Sequence, residues 1–150
     1  MKRPPYVTDK ALKQFIKSAL DEDIQDGDHS TLSTIPADLV QKARCIIKQH
    51  CIVAGVELAE FIFKTFDKNM SVEVLIKDGE SAKPGDIAFI ITGKAQSILQ
   101  TERLVLNCMQ RMSGIATLTH DWDSRLVGTK TKLLDTCLLY TSDAADEEDS

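Results

Sequence analysis

Apolar residues recur along this chain at two different spacings, and the alternation between them outlines its elements. Leu12, Phe15, Ile16, Ala19 and Leu20 return every three or four positions, which predicts an amphipathic helix over 9–23 with Thr8 as its N-cap. Pro4-Pro5 make 2–7 an extended lead-in. The acid-rich segment 22–31 predicts a turn held by Asx-type side-chain hydrogen bonds. It superficially resembles a calcium loop, but its glycine is out of step and no glutamate closes it. Residues 43–48 and 51–54 lean towards β structure and, across Gln49-His50, predict a hairpin or a bent strand. Helical spacing returns at Leu58, Ala59, Ile62, Phe63 and Phe66, and the alternation of 70–76 predicts a half-buried strand. Asp78-Gly79 and Pro84-Gly85 read as turns before an apolar strand at 87–92. These elements interleave without a strict βαβ rhythm, so the expected class is α+β, a mainly antiparallel sheet with helices on one face.

From Ala95 the spacing is helical again. Ile98, Val105, Met109 and Met112 fall on one face with Leu99 and Leu106 at its margins, while Gln96, Gln100, Arg103, Asn107 and Gln110 form a polar stripe. Ser113-Gly114 reads as an interruption, with Ser113 capping a second helix through Leu126 that Gly128 closes, and 132–135 reads as a strand. The ordinary account of Gln96, Gln100 and Gln110 is a solvated face. Arg103 differs in kind, because a planar guanidinium can grip a carboxylate or phosphate through two parallel hydrogen bonds.

Composition narrows the function classes. The chain has 150 residues and a net charge of −5, but five of its 23 acids lie at Asp143, Asp146, Glu147, Glu148 and Asp149, and the remaining 18 balance the 18 lysines and arginines. With no basic stripe, nucleic acid and membrane surfaces are not expected partners. No apolar run reaches the roughly 18–20 residues a bilayer-spanning helix needs. Cys45, Cys51, Cys108 and Cys137 lack metal-type spacing and no signal peptide precedes them, so free thiols in a cytoplasmic protein are expected. His29, His50 and His120 are scattered without partner acids.

The runs Ala95-Gln96-Ser97-Ile98-Leu99, Thr101-Glu102-Arg103-Leu104-Val105-Leu106-Asn107 and Arg111-Met112-Ser113-Gly114-Ile115-Ala116-Thr117-Leu118-Thr119 closely resemble the quinolinate phosphoribosyltransferases, the carboxylating nicotinate-nucleotide pyrophosphorylases. Ala19-Leu20-Asp21-Glu22-Asp23-Ile24 with Gly27-Asp28 and Thr31 looks like that family's opening motif. Val53-Ala54-Gly55-Val56-Glu57, Asp78-Gly79 and Gly85-Asp86 look like its middle. The resemblance implies an N-terminal α/β sandwich domain at 8–105 and the truncated start of an α/β barrel at 106–136. It also implies a homodimer whose site is shared across subunits. The implied reaction joins quinolinate to phosphoribosyl pyrophosphate, with Mg2+ on the pyrophosphate, and yields nicotinate mononucleotide, pyrophosphate and carbon dioxide for NAD synthesis. Arg103 matches the family arginine that holds quinolinate in the partner's barrel. Thr136 would end the first barrel strand at the substrates.

The family continues that strand Thr-Arg-Lys-Thr, whereas Cys137 and the residues after it resemble a translated transposon-end sequencing adapter, so 137–150 is expected to be a non-native tail. Catalysis here is mostly positioning and charge stabilisation, and a chain holding one cation of the set is expected to be inactive by itself, with the Mg2+ ligands lying outside it. Two alternatives accompany this reading. One is a related molybdenum-transport-associated or nicotinate phosphoribosyltransferase. The other is a lipoyl- or biotinyl-type carrier, which would need Lys94 at a hairpin tip.

Overall fold

Two short repeats in the sequence shape the middle of the fold. Lys77-Asp78-Gly79-Glu80 and Lys83-Pro84-Gly85-Asp86 make the same turn. In each the acid's backbone N–H donates to the lysine carbonyl, at 3.1 Å, and the lysine's N–H donates to the acid's carboxylate, at 2.8 Å. The computed structural model describes residues 7–24 and 27–134. Within them the order is α1 (Asp9–Ile24), α2 (His29–Thr34), β1 (Val40–Ile46), β2 (Cys51–Ile52), α3 (Val56–Phe66), β3 (Ser71–Val74), β4 (Ser81–Ala82), β5 (Ile87–Lys94) and α4 (Ala95–Arg125). The chain divides into one compact unit through Thr117 and a second from Leu118.

In the first unit β1, β5 and β3 form an antiparallel sheet in that order, and β2 pairs with β4 in a separate two-stranded ribbon. The register places Ala43, Cys45, Val72, Val74, Phe89 and Ile91 on one face, where they join the core with Ile62 and Phe63 of α3 and Ile98, Val105 and Met109 of α4. Phe63 and Phe89 meet edge to face at 5.8 Å, an arrangement worth about 0.5–1.5 kcal/mol beyond the area it buries. The opposite face carries Lys42, Arg44 and Glu73 in the open. The fold is therefore the α+β layer that the periodicity predicts, with its helices against one side of the sheet.

Local chemistry sets the helix starts. Thr8 Oγ1 accepts from Ala11 N at 3.2 Å and begins α1 as expected. Helix α3 starts after Gly55, which has no side chain to cap it, so Asp78 reaches across and accepts from Val56 N at 2.7 Å and Glu57 N at 3.2 Å. Gly55 sits at φ 99, and a Cβ there would lie 3.2–3.3 Å from Met112 Sδ and from Met109, so only glycine fits between α3 and α4. Gln96 to Leu106 run as one helix directly from the end of β5, where Lys94 is the last strand residue. That junction leaves no hairpin tip for Lys94, and the carrier alternative fails on it.

Several expectations are corrected. The segments 43–48 and 51–54 are not a hairpin, because β1 pairs with β5 and β2 with β4. The α1–β1 connection contains a short helix, α2, capped by Asp28, rather than a turn alone. Ser113-Gly114 does not interrupt α4. Ser113 Oγ accepts from Ala54 N at 3.0 Å and donates to Ala54 O at 3.1 Å, so its hydroxyl is bound to the neighbouring strand segment and caps nothing. Thr117, one turn on, accepts from Ile52 N at 2.9 Å, and the two hydroxyls tie the helix to that segment. Finally, 132–134 form no strand, while Asp135 lies outside the described residues. Phe15, expected in the buried stripe of α1, is 46% exposed. The lead-in 2–6 and the tail 137–150 lie outside the described residues.

Candidate functional site

Helix α4 separates its faces sharply. Ile98, Thr101, Val105 and Met109 recur at three- and four-residue spacing and are all buried, Thr101 with its hydroxyl returned to Ser97 O at 2.8 Å. Arg103 stands two residues from Thr101 and from Val105, about 200° around the helix from each at 100° per residue, and therefore turns outward. Its side chain is 74% exposed.

The polar stripe around Arg103 is not purely solvated, however, and this corrects the expectation for Gln96. Gln96 is half-buried and donates Nε2 to Ile35 O at 2.7 Å, just past α2. Arg103 Nη1 lies 3.3 Å from Asp23 Oδ1 at the end of α1. Together they fasten the α1–α2 region along α4. Asp28 belongs to the same neighbourhood: its carboxyl is held below the usual aspartate range, first by the Thr31 hydroxyl, then by the Thr31 backbone N–H at 3.1 Å, with a minor contribution from the charge of Arg103. The Asp28 bonds are the Asx-type contacts that the sequence predicts. The pairing of Asp23 with Arg103 was not visible in it, since the two residues are far apart in the chain. The one available signal was the run of acids at the negative end of α1, where a cation from elsewhere is wanted.

Thr136 lies outside the described residues. Gln110 is exposed and Gln100 half-buried. His29 and His50 are exposed, and His120 Nδ1 lies 3.9 Å from the carboxylate of its neighbour Asp121. Burial pushes the thiols of Cys45 and Cys108 up, which keeps them protonated and poor nucleophiles. Among the described residues no three His, Cys, Asp or Glu side chains come together to hold a metal ion. A cleft of about 360 Å3 opens between β1 and α4, lined largely by core side chains such as Phe89, Ile98 and Val105 with Arg44, Lys48 and Glu102 also on its walls.

The described residues form an α+β domain that presents an arginine from the outer face of its long helix. The family described as quinolinate phosphoribosyl transferase, N-terminal domain, matches residues 28–113, and the chain belongs to it. Over 118 residues it is 46% identical to quinolinate phosphoribosyltransferase [decarboxylating] 1b of Nicotiana tabacum, covering 78% of this chain and 34% of that protein. The chloroplastic nicotinate-nucleotide pyrophosphorylase of Oryza sativa subsp. japonica is 45% identical over 117 residues, 77% of this chain and 32% of its own length. Among solved structures, NadC from Streptococcus pyogenes superposes with a TM-score of 0.83 at 29% identity, over 87% of this chain and 47% of that one. The nicotinate-nucleotide pyrophosphorylase from Francisella tularensis superposes at 0.80 with 32% identity, over 87% and 46%. The chain thus spans about a third of the plant relatives and about half of the solved chains. Among the described residues no helix is long and apolar enough to cross a membrane.

Proposed function

We propose that the full-length protein carrying this segment converts quinolinate and phosphoribosyl pyrophosphate to nicotinate mononucleotide, pyrophosphate and carbon dioxide, a step of NAD biosynthesis. In this proposal Arg103 grips a carboxylate of quinolinate. The observation that carries it is a guanidinium 74% exposed on the outer stripe of α4, with one of its terminal nitrogens on Asp23. A pyridine dicarboxylate is a planar dianion, and a guanidinium fork matches either of its carboxylates in two parallel hydrogen bonds.

The proposal extends to the assembly. An arginine presented outward cannot enclose a substrate alone, so the site is completed by a second subunit of a cytoplasmic homodimer, with residues 106–136 beginning the barrel domain and Thr136 assigned to the substrates. The solvent-facing position of Arg103 supports this arrangement. Mg2+ would enter on the pyrophosphate of the ribosyl donor, bound by residues beyond this chain. Because the substrates together carry several negative charges, one arginine cannot supply the stabilising field. The experiment is product analysis. Full-length protein given quinolinate, phosphoribosyl pyrophosphate and Mg2+ should release carbon dioxide and pyrophosphate with nicotinate mononucleotide, and the 150-residue chain alone should not exceed the blank. Turnover by the short chain, or none by the full-length protein, would overturn the proposal.

A further inference from the structure

The end of α1 is built against its own dipole. Asp21, Glu22 and Asp23 crowd the negative pole of the helix, and its last turn contains no basic residue. Asp21 is neutralised locally by Lys17, one turn back at 2.5 Å, in a pair whose side chains are 77% and 63% exposed. Asp23 is different. Its side chain is only 27% exposed, and its cation comes from another element, Arg103 on α4. A locally unfavourable placement that is relieved only by a long-range contact is the kind of exception a functional site makes.

The contact is also lopsided. Arg103 uses one terminal nitrogen, Nη1, at 3.3 Å, while a guanidinium has five N–H donors arranged as a fork. Asp23 is the more enclosed partner and Arg103 the more open one. The carboxylate therefore limits where the guanidinium points, and among the described residues no hydrogen bond or ion pair is made at Nε or Nη2. We propose that Asp23 is a positioning residue for Arg103: it holds one corner of the guanidinium so that the free edge is already turned towards the carboxylate of the incoming pyridine. Asp23 touches no substrate and acts only through the arginine. The inference rests on the role proposed above for Arg103 and deepens it by one residue.

The test is a set of variants in the full-length protein, with KM and kcat measured for each substrate: Asp23→Asn, Asp23→Glu, Arg103→Ala, and Asp23→Asn combined with Arg103→Ala. Loss of an exposed single-point pair should raise the KM for quinolinate about two- to fivefold. The KM for phosphoribosyl pyrophosphate and kcat should stay where they are, and Asp23→Glu should recover most of the loss. In the Arg103→Ala background, Asp23→Asn should add nothing, because the group through which it acts is gone. A lower quinolinate KM in Asp23→Asn would show that the carboxylate merely competes with substrate, and would overturn the inference. An unchanged KM, an equal rise for both substrates, or a further loss in the double variant would also overturn it. If Arg103→Ala itself leaves the quinolinate KM unmoved, the role assigned to Arg103 falls and the inference falls with it, which distinguishes the two failures.

Discussion

The two ends of α4 are similar in composition and opposite in use. Up to Met109 the helix buries Ile98, Thr101, Val105 and Met109 against the sheet and α3, and it keeps its polar stripe outward. Further on, the same apolar chemistry is uncovered: Ile115 and Leu118 are each 60% exposed and Trp122 is 50% exposed. Helix propensity carries the chain through both stretches, and the first lies on the sheet. An apolar stripe therefore marks a face that can be covered, and the covering element has to be found elsewhere.

The comparison can be broken most directly by truncating one large side chain from each end of the fold. Phe89→Ala removes a buried ring that also meets Phe63 and should lower the unfolding free energy of the chain by about 3–5 kcal/mol in urea titrations. Trp122→Ala should change it by no more than about 0.5 kcal/mol, since Trp122 is half-exposed and stacks on the guanidinium of Arg125, 5.0 Å from its ring centre. Equal losses would show that the two regions are buried alike.

A smaller effect separates two serines of the same helix. Ser113→Ala leaves both the N–H and the carbonyl of Ala54 without their side-chain partner and should cost about 1–3 kcal/mol. Ser124→Ala loses only a bond to the carbonyl of Asp121, three residues back on an exposed surface, and should be nearly silent in the same titration. The smallest expected effect is electrostatic. Asp28 has a folded pKa below its ordinary value because the hydroxyl and N–H of Thr31 hold the ionised form. Its contribution is therefore full above about pH 3.9, the usual aspartate value, and is lost as pH falls from there through the depressed folded pKa. Asp28→Asn should flatten that acid limb of the stability curve and leave neutral pH nearly unchanged. A loss centred above pH 5 would point to another group.

Much of this arrangement was legible before the coordinates. The bounds of α1 and α3, the apolar strand β5 and the outward position of Arg103 follow from three- to four-residue and two-residue spacings, which are local properties. What was missed depends on partners distant in sequence. β1 and β2 look like a hairpin because they are neighbours, but their hydrogen bonds go to β5 and β4. Ser113 has the chemistry of a cap and is bound instead by Ala54. Asp23 could be read as a helix-end acid, yet its partner could not be chosen among the cations of the chain without the packing of α1 against α4.

The central claim is that Arg103 recognises the carboxylate of a pyridine substrate, and the most direct measurement is steady-state kinetics of Arg103→Lys and Arg103→Ala in the full-length protein with each substrate varied in turn. We expect Arg103→Ala to raise the KM for quinolinate by at least about tenfold, with Arg103→Lys recovering little because an ammonium cannot make the paired bonds. The KM for phosphoribosyl pyrophosphate should hardly move. A quinolinate KM that stays at the unsubstituted value in both variants would contradict the assignment.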